Sequence, residues 1–228
     1  MTEGWVPTRH CGAVIFDLDG VLIDSEGLQY AAYTEVLARY GVAVTAAEYG
    51  THWIATGRGP EYAVERFQLP LAADELRALK RPVYERILRE AVRLMPGARE
   101  TLGRLHAHFP LAVATNSLRT EVEYVLAHFG CDAFFSAIVA REDYRLAKPS
   151  PDAYLTAAGR LGVPPSACLI VEDAQRGVLA ADAAGATVVA VPNEFTRGSD
   201  FSLALAVLRS LDELTRDRIE AWFAVPRA

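Results

Sequence analysis

Four acidic side chains stand in two groups after apolar runs: Asp17 and Asp19 follow Val14-Ile15-Phe16, and Glu172 and Asp173 follow Leu169-Ile170-Val171. In an extended backbone residues i and i+2 point the same way, so Asp17 and Asp19 face a common site. Leu111 to Ala114 leads in the same manner into Thr115-Asn116-Ser117, and Lys148 stands just ahead of Pro149 and Pro151. The two prolines fix the backbone and present Lys148 with little freedom. Unit charges ~4 Å apart interact by roughly 4 kcal/mol at an effective dielectric of about 20, so four carboxylates in one pocket need a counter-charge. A divalent cation supplies it, and carboxylate, carbonyl and water ligands select Mg2+. Backbone N–H groups and hydroxyls beyond a strand can cradle a phosphoryl group, which suits Thr115 and its neighbours. Each group also has a plainer account: an Asp-Gly turn, a helix cap by Ser117 or Thr120, a surface lysine, a solvated acidic loop. Taken singly, the residues leave both accounts open.

The elements that must position these residues can be read from the apolar pattern. The runs are continuous rather than alternating, as in strands buried on both faces of a parallel sheet. Strands are expected over residues 12–17, 111–114, 138–139, 168–171 and 187–191, with a short one near Leu205-Ala206-Val207. Helices alternate with them over 98–108, 120–129, 151–161 and 177–184, and an amphipathic helix over 211–223 closes the core. This alternation predicts right-handed crossovers and an α/β, Rossmann-like parallel sheet with helices on both faces. The acids then lie at the carboxyl ends of the strands, where open α/β sheets bind ligands.

From residue 27 to about 94 nothing resembles a strand. Helices are expected over 27–40 (stopped by Gly41), after a Thr45/Glu48 capping box, over 61–67 behind Pro60, and over 74–94, where Pro82 predicts a kink or break. Thr56-Gly57-Arg58-Gly59-Pro60 reads as a turn. Two domains follow: an α/β core, residues 1–22 and 95–228, and a small all-helical cap, residues 23–94, inserted after the first strand. Residues 1–11 read as a short leader, with Trp5 packing onto the surface.

The chain has 228 residues, 51% hydrophobic and 23% charged, a soluble globular composition. Its 29 acidic against 23 basic side chains give a net charge of -6, which argues against nonspecific binding to nucleic acid or anionic membranes. Only two of the basic residues are lysines, Lys80 and Lys148. Cys11, Cys131 and Cys168 form no Cys-x-x-Cys pair and read as free thiols in a reducing compartment. With no apolar signal segment in the first ten residues and no run of 18 apolar residues, a cytoplasmic protein is expected.

The stretch Asp17-Leu18-Asp19-Gly20-Val21-Leu22-Ile23-Asp24-Ser25 resembles the first motif of the haloacid dehalogenase superfamily of phosphohydrolases. Thr115-Asn116-Ser117, Ala147-Lys148-Pro149 and Glu172-Asp173-Ala174 resemble its second, third and fourth motifs, in order, so the resemblance covers essentially the whole chain. It is closest to the branch with a helical cap, which holds small-molecule phosphatases and β-phosphoglucomutases. The resemblance implies a Mg2+-dependent phosphatase of a small phosphomonoester, such as a sugar phosphate, acting through an aspartyl-phosphate on Asp17. Asp19 then protonates the leaving oxygen and later deprotonates water. Thr115, Asn116 and Lys148 bind the phosphoryl group. Mg2+ is held by the Asp17 carboxylate, the Asp19 carbonyl and Asp173, with Glu172 acting through water or behind the ligands.

Four rival readings stand beside this one. Dehalogenases lack an acid at the Asp19 position, and phosphonatases need a Schiff-base lysine in the cap, where Lys80 is the sole candidate. β-Phosphoglucomutases carry a histidine where this chain has Gln29 and a lysine where it has Leu118. A non-catalytic phosphometabolite-binding module does not need the intact set of acids. In the cap, Arg58, and Lys80 with Arg81, are candidate readers of the leaving group, or else solvated. The expected partner is a small phosphorylated metabolite, bound by a monomer or weak homodimer.

Overall fold

The computed structural model describes residues 10–224; the leader and Trp5 fall outside these, apart from residues 10 and 11. The strands are β1 (Ala13–Phe16), β2 (Leu111–Ala114), β3 (Ala137–Val139), β4 (Cys168–Glu172), β5 (Thr187–Ala190) and β6 (Ala206–Val207). All pairs are parallel, in the order β3-β2-β1-β4-β5-β6. Two crossovers therefore diverge from the centre, one toward β2 and one toward β4, and leave a crevice at their carboxyl ends.

Every residue of β1, β2, β4 and β5 is buried, which is why their sequences are apolar except at the ends, Glu172 in β4 and Thr187 in β5. Alternate positions feed two separate cores. Val14, Phe16, Val113 and Val171 pack with α5 (Ala98–His106), α6 (Arg119–His128) and α9 (Arg216–Ala224). Ala13, Ile15, Ala112, Ala114 and Ile170 pack with α7 (Asp152–Leu161) and α8 (Gln175–Ala183). The second face is rich in alanine, so α7 and α8 can approach the sheet closely.

Between β1 and α5 the chain is helical: α1 (Glu26–Ala38), α2 (Ala46–Tyr49) running into a π-helical turn at Gly50–Ala55, α3 (Gly59–Phe67) and α4 (Ala73–Ala91). The Thr45 capping box forms: Glu48 accepts from the Thr45 N–H at 2.9 Å, and Thr45 Oγ1 accepts from the Glu48 N–H at 3.2 Å. Of the kink or break expected at Pro82, the break does not occur: α4 runs through it. An interior proline costs ~3 kcal/mol, and burying side chains such as Leu76, Val83 and Leu88 at ~1.5–3 kcal/mol each outweighs it. The two connections to the core run side by side, with Asp24 N–H bonded to Arg93 O and Met95 N–H to Leu22 O, both at 2.9 Å.

The single helix expected over 211–223 is two pieces, a 3-10 turn at Leu211–Glu213 and then α9. Local hydroxyls divide it: Ser210 Oγ accepts from the Asp212 N–H at 3.1 Å, and Thr215 Oγ1 from the Arg218 N–H at 3.3 Å, so each starts its own turn. Among the described residues no helix is long and apolar enough to cross a membrane. All three cysteines are free thiols.

Candidate active site

The crevice above β1 collects the polar residues that end or follow β1, β2 and β4, with Lys148 from the segment after β3. Asp17 follows β1 directly, and its N–H still bonds Val171 O at 3.0 Å, which fixes its position against β4. The chain then turns sharply at Gly20, with φ +76. A Cβ there would overlap the Asp173 carboxylate and come within 2.6 Å of the Asn193 amide, so only glycine fits. Gly177 is constrained in the same way, since a side chain there would overlap the Glu172 carboxylate beneath α8.

Lys148 is the electrostatic centre. Its ammonium donates to Asp17 Oδ1 at 2.5 Å, Glu172 Oε1 at 2.7 Å, the Tyr154 hydroxyl at 2.7 Å and Ala114 O at 2.9 Å. The Tyr154 hydroxyl in turn donates to Glu172. Burial works against charge on Lys148, but Asp17 and Glu172 outweigh it and hold the ammonium above the usual lysine value. Asp17 is pushed up to about 7, chiefly by burial, with Lys148 pulling down and Glu172 and Asp19 adding repulsion. Asp173 is held well above the usual carboxylate range by burial and by Glu172 and Asp17. Its side chain accepts from the neutral Asn193 amide, at 2.8 Å.

Asp17, Glu172 and Asp173 offer oxygens that all lie within 4.8 Å of one another. Lys148 offsets two of these carboxylates but not Asp173. A buried, all-oxygen donor set with charge still to be offset fits a hard divalent cation. The Asp19 carboxylate is not part of this group. It accepts from Ser25 Oγ at 2.6 Å, Thr115 Oγ1 at 3.3 Å and Ser117 Oγ. Asn116 Oδ1 accepts from the Tyr144 hydroxyl at 2.7 Å and the Lys148 N–H at 3.2 Å, which pins its side chain at the cavity wall.

Asp17, Asp19, Thr115, Asn116, Lys148, Glu172 and Asp173 thus line one small inner cavity of about 30 Å³. It opens toward the cap helices through larger spaces of about 300 and 420 Å³. Lys80 lines the larger of these and donates to Gln29 Oε1, and burial pushes its ammonium down to about 8. Arg58 is not brought to the site. It lies exposed before α3, its N–H bonded to His52 O at 2.9 Å, and lines none of these spaces.

Arg176 and Glu26 were missed. Both line the inner cavity, and the Arg176 side chain forms no hydrogen bond or ion pair to protein among the described residues. Burial opposes its charge, yet Glu26, Asp17, Glu172 and Asp173 hold its guanidinium above the usual value. One signal was available: an arginine in the first turn of α8 faces the wrong end of the helix dipole and needs nearby acids.

A sequence model of haloacid dehalogenase-like hydrolases matches residues 14–191. The chain is 34% identical over 184 residues to the fructose-1-phosphate phosphatase YqaB of Escherichia coli, covering 80% of this chain and 97% of that protein. It is 33% identical over 225 residues to a bifunctional riboflavin kinase/FMN phosphatase of Arabidopsis thaliana, covering 93% of this chain but only 56% of that longer one. Among solved structures, CbbY of Rhodobacter sphaeroides in complex with xylulose-(1,5)bisphosphate superposes with a TM-score of 0.79 at 28% identity, covering 90% of this chain and 96% of that one. The chain belongs to the haloacid dehalogenase-like hydrolases.

Proposed function

We propose that the chain is a phosphatase of small phosphorylated metabolites, sugar phosphates among them, that works through an aspartyl-phosphate on Asp17. The observation that carries this reading is the Asp17–Lys148–Glu172 array beside Asp19 at the mouth of β1. Relatives named as phosphatases of fructose 1-phosphate and FMN, and one bound to a pentulose bisphosphate, support the substrate class.

In this reading Asp17 Oδ2, free of Lys148, attacks phosphorus while Lys148 holds Oδ1 and sets the carboxylate angle. Lys148 also adds positive charge beside the equatorial phosphoryl oxygens, where charge is densest in the transition state. Thr115 and Asn116 donate to those oxygens. Asp19 exchanges one of its hydroxyl contacts for the leaving oxygen, protonates it, and then takes a proton from the water that cleaves the acyl phosphate. Asp17, the Asp19 carbonyl and Asp173 would hold Mg2+, with Glu172 behind them, and the ion supplies charge neutralisation when bound. In this reading residues 23–94 are the cap, and the described parts of 1–22 and 95–228, residues 10–22 and 95–224, are the core. The cap excludes water and presents Lys80 to the leaving group. Arg58, exposed outside these spaces, has no part in this reading.

Two experiments test it. Phosphorus NMR of a sugar phosphate panel should show free phosphate released from at least one monoester. β-Glucose 1-phosphate with catalytic glucose 1,6-bisphosphate should give no glucose 6-phosphate, consistent with Gln29 and Leu118. Isomerisation without phosphate release would replace the phosphatase by a mutase. For the metal, Mg2+ at 100 times its Kd should stabilise the wild type by ~2.7 kcal/mol in denaturant melts. Asp173→Asn should lose most of that gain, and an equal gain in the variant would remove Asp173 from the ligand set.

A further inference from the structure

The cleft changes sign from its inner to its outer end. The inner cavity has five acids, Asp17, Asp19, Glu26, Glu172 and Asp173, against Lys148 and Arg176. Beyond Asn116, the 420 Å³ space is lined by Arg77, Lys80, Arg81 and Arg141, with Glu121 as its single acid. Arg77 is already paired, with Glu61 at 2.5 Å and Asp74 at 2.8 Å. The other three have no ion pair among the described residues. Lys80 donates to the neutral Gln29 amide and lies over the Tyr84 ring, 4.0 Å from its centroid. Arg141 donates to two carbonyls, Tyr144 O at 2.9 Å and Arg145 O at 3.2 Å. The Arg81 side chain forms no hydrogen bond among the described residues and is exposed. Carbonyls and rings orient a cation without neutralising it. In a chain of net charge -6, three cations without an ion pair, facing Glu121 as the single acid of the space, are a local excess.

We propose that this outer space binds a second anionic group of the substrate, so that the preferred phosphomonoester carries a phosphate or carboxylate at the end remote from the scissile ester. The proposal rests on the phosphatase reading and narrows it. The inner acids and their counter-ion take the reacting phosphoryl group, while Lys80, Arg81 and Arg141 take the remote anion and fix which end of the molecule enters first. Guanidinium groups suit either a phosphate or a carboxylate, since both accept paired hydrogen bonds.

The test compares matched esters that differ only in the remote group. Fructose 1,6-bisphosphate is set against fructose 1-phosphate and fructose 6-phosphate, and 6-phosphogluconate against glucitol 6-phosphate, by initial rates of phosphate release. The first set reads a remote phosphate and the second a remote carboxylate. In at least one set kcat/KM should favour the doubly anionic ester by ~10-fold or more, and Arg141→Gln and Arg81→Gln should each reduce that preference by at least ~3-fold. Arg81 is exposed and unbonded, so its variant folds even if that of Arg141 does not. Equal kcat/KM within both sets, with p-nitrophenyl phosphate hydrolysis still lost in Asp17→Asn, overturns the outer subsite and leaves the phosphatase standing. A preference that survives both substitutions places the remote anion elsewhere and also overturns the assignment. Absence of any Asp17-dependent hydrolysis overturns the phosphatase reading, and this proposal falls with it.

Discussion

Asp17→Asn is expected to retain less than ~1% of wild-type kcat while the protein folds normally, a loss of at least ~2.7 kcal/mol in barrier terms. The amide keeps the size and the shape of the carboxylate at the end of β1. The side-chain oxygen can still accept from Lys148, and the backbone N–H of residue 17 still bonds Val171 O, so the local backbone has no reason to move. Stability should hold or rise slightly, because burial already disfavours the charge that the substitution removes. What is lost is the nucleophile, since an amide oxygen does not form an acyl phosphate. Phosphate release under saturating substrate, with a thermal melt beside it, checks both halves. Residual turnover above ~1%, in a sample shown by mass spectrometry to be free of deamidated protein, would sink the covalent role. A collapsed melt would instead make Asp17 structural, and the catalytic assignment would then depend on the Asp19 and Lys148 variants.

Much of the fold was legible because its signals are local. β1, β2 and β4 are runs of buried apolar residues with no alternation, and each ends where a polar residue must leave the sheet. The glycines at positions 20, 41, 97 and 162 have positive φ, so turn chemistry at element ends could be read directly. Legibility failed where competing local bonds decide, as at Ser210 and Thr215, or where packing overrides propensity, as at Pro82.

The site divides along the same line. Its acids follow strands and Lys148 precedes two prolines, so they could be placed by position. Ser25, Tyr154, Asn193 and Arg176 acquire their meaning only when separate elements meet. Nothing in the sequence says that the Tyr154 hydroxyl reaches Glu172 or that the Asn193 amide reaches Asp173. Arg58 illustrates the opposite failure. A glycine-flanked arginine in a turn suggests a ligand contact, yet the turn presents it to solvent, while Arg77 and Lys80 on α4 line the cleft.

Lys148→Met is expected to be the most damaging substitution for stability and activity together. The side chain is 3% exposed and bonds four acceptors, two of them carboxylates. Methionine keeps the apolar stem and its packing, so the change isolates the charge. Removing one partner of a buried ion pair costs ~3–5 kcal/mol, because the remaining charge is left without compensation. Here two carboxylates lose the same cation, so the upper half of that range is expected, a large part of a typical total of ~5–15 kcal/mol. Arginine should not rescue it, since a planar guanidinium does not fit between Asp17, Glu172 and Ala114 O in place of a compact ammonium. The double variant Lys148→Met/Glu172→Gln separates charge from packing. If the deficit comes from uncompensated carboxylates, denaturant melts should show the double variant regaining ~1–2 kcal/mol over the single one. Turnover should stay at least ~100-fold down in both, because neither restores positive charge beside the phosphoryl oxygens. A single variant that melts like the wild type would mean that Lys148 does not offset Asp17 and Glu172 in solution. A double variant no more stable than the single one would place the loss in packing around Tyr154 instead.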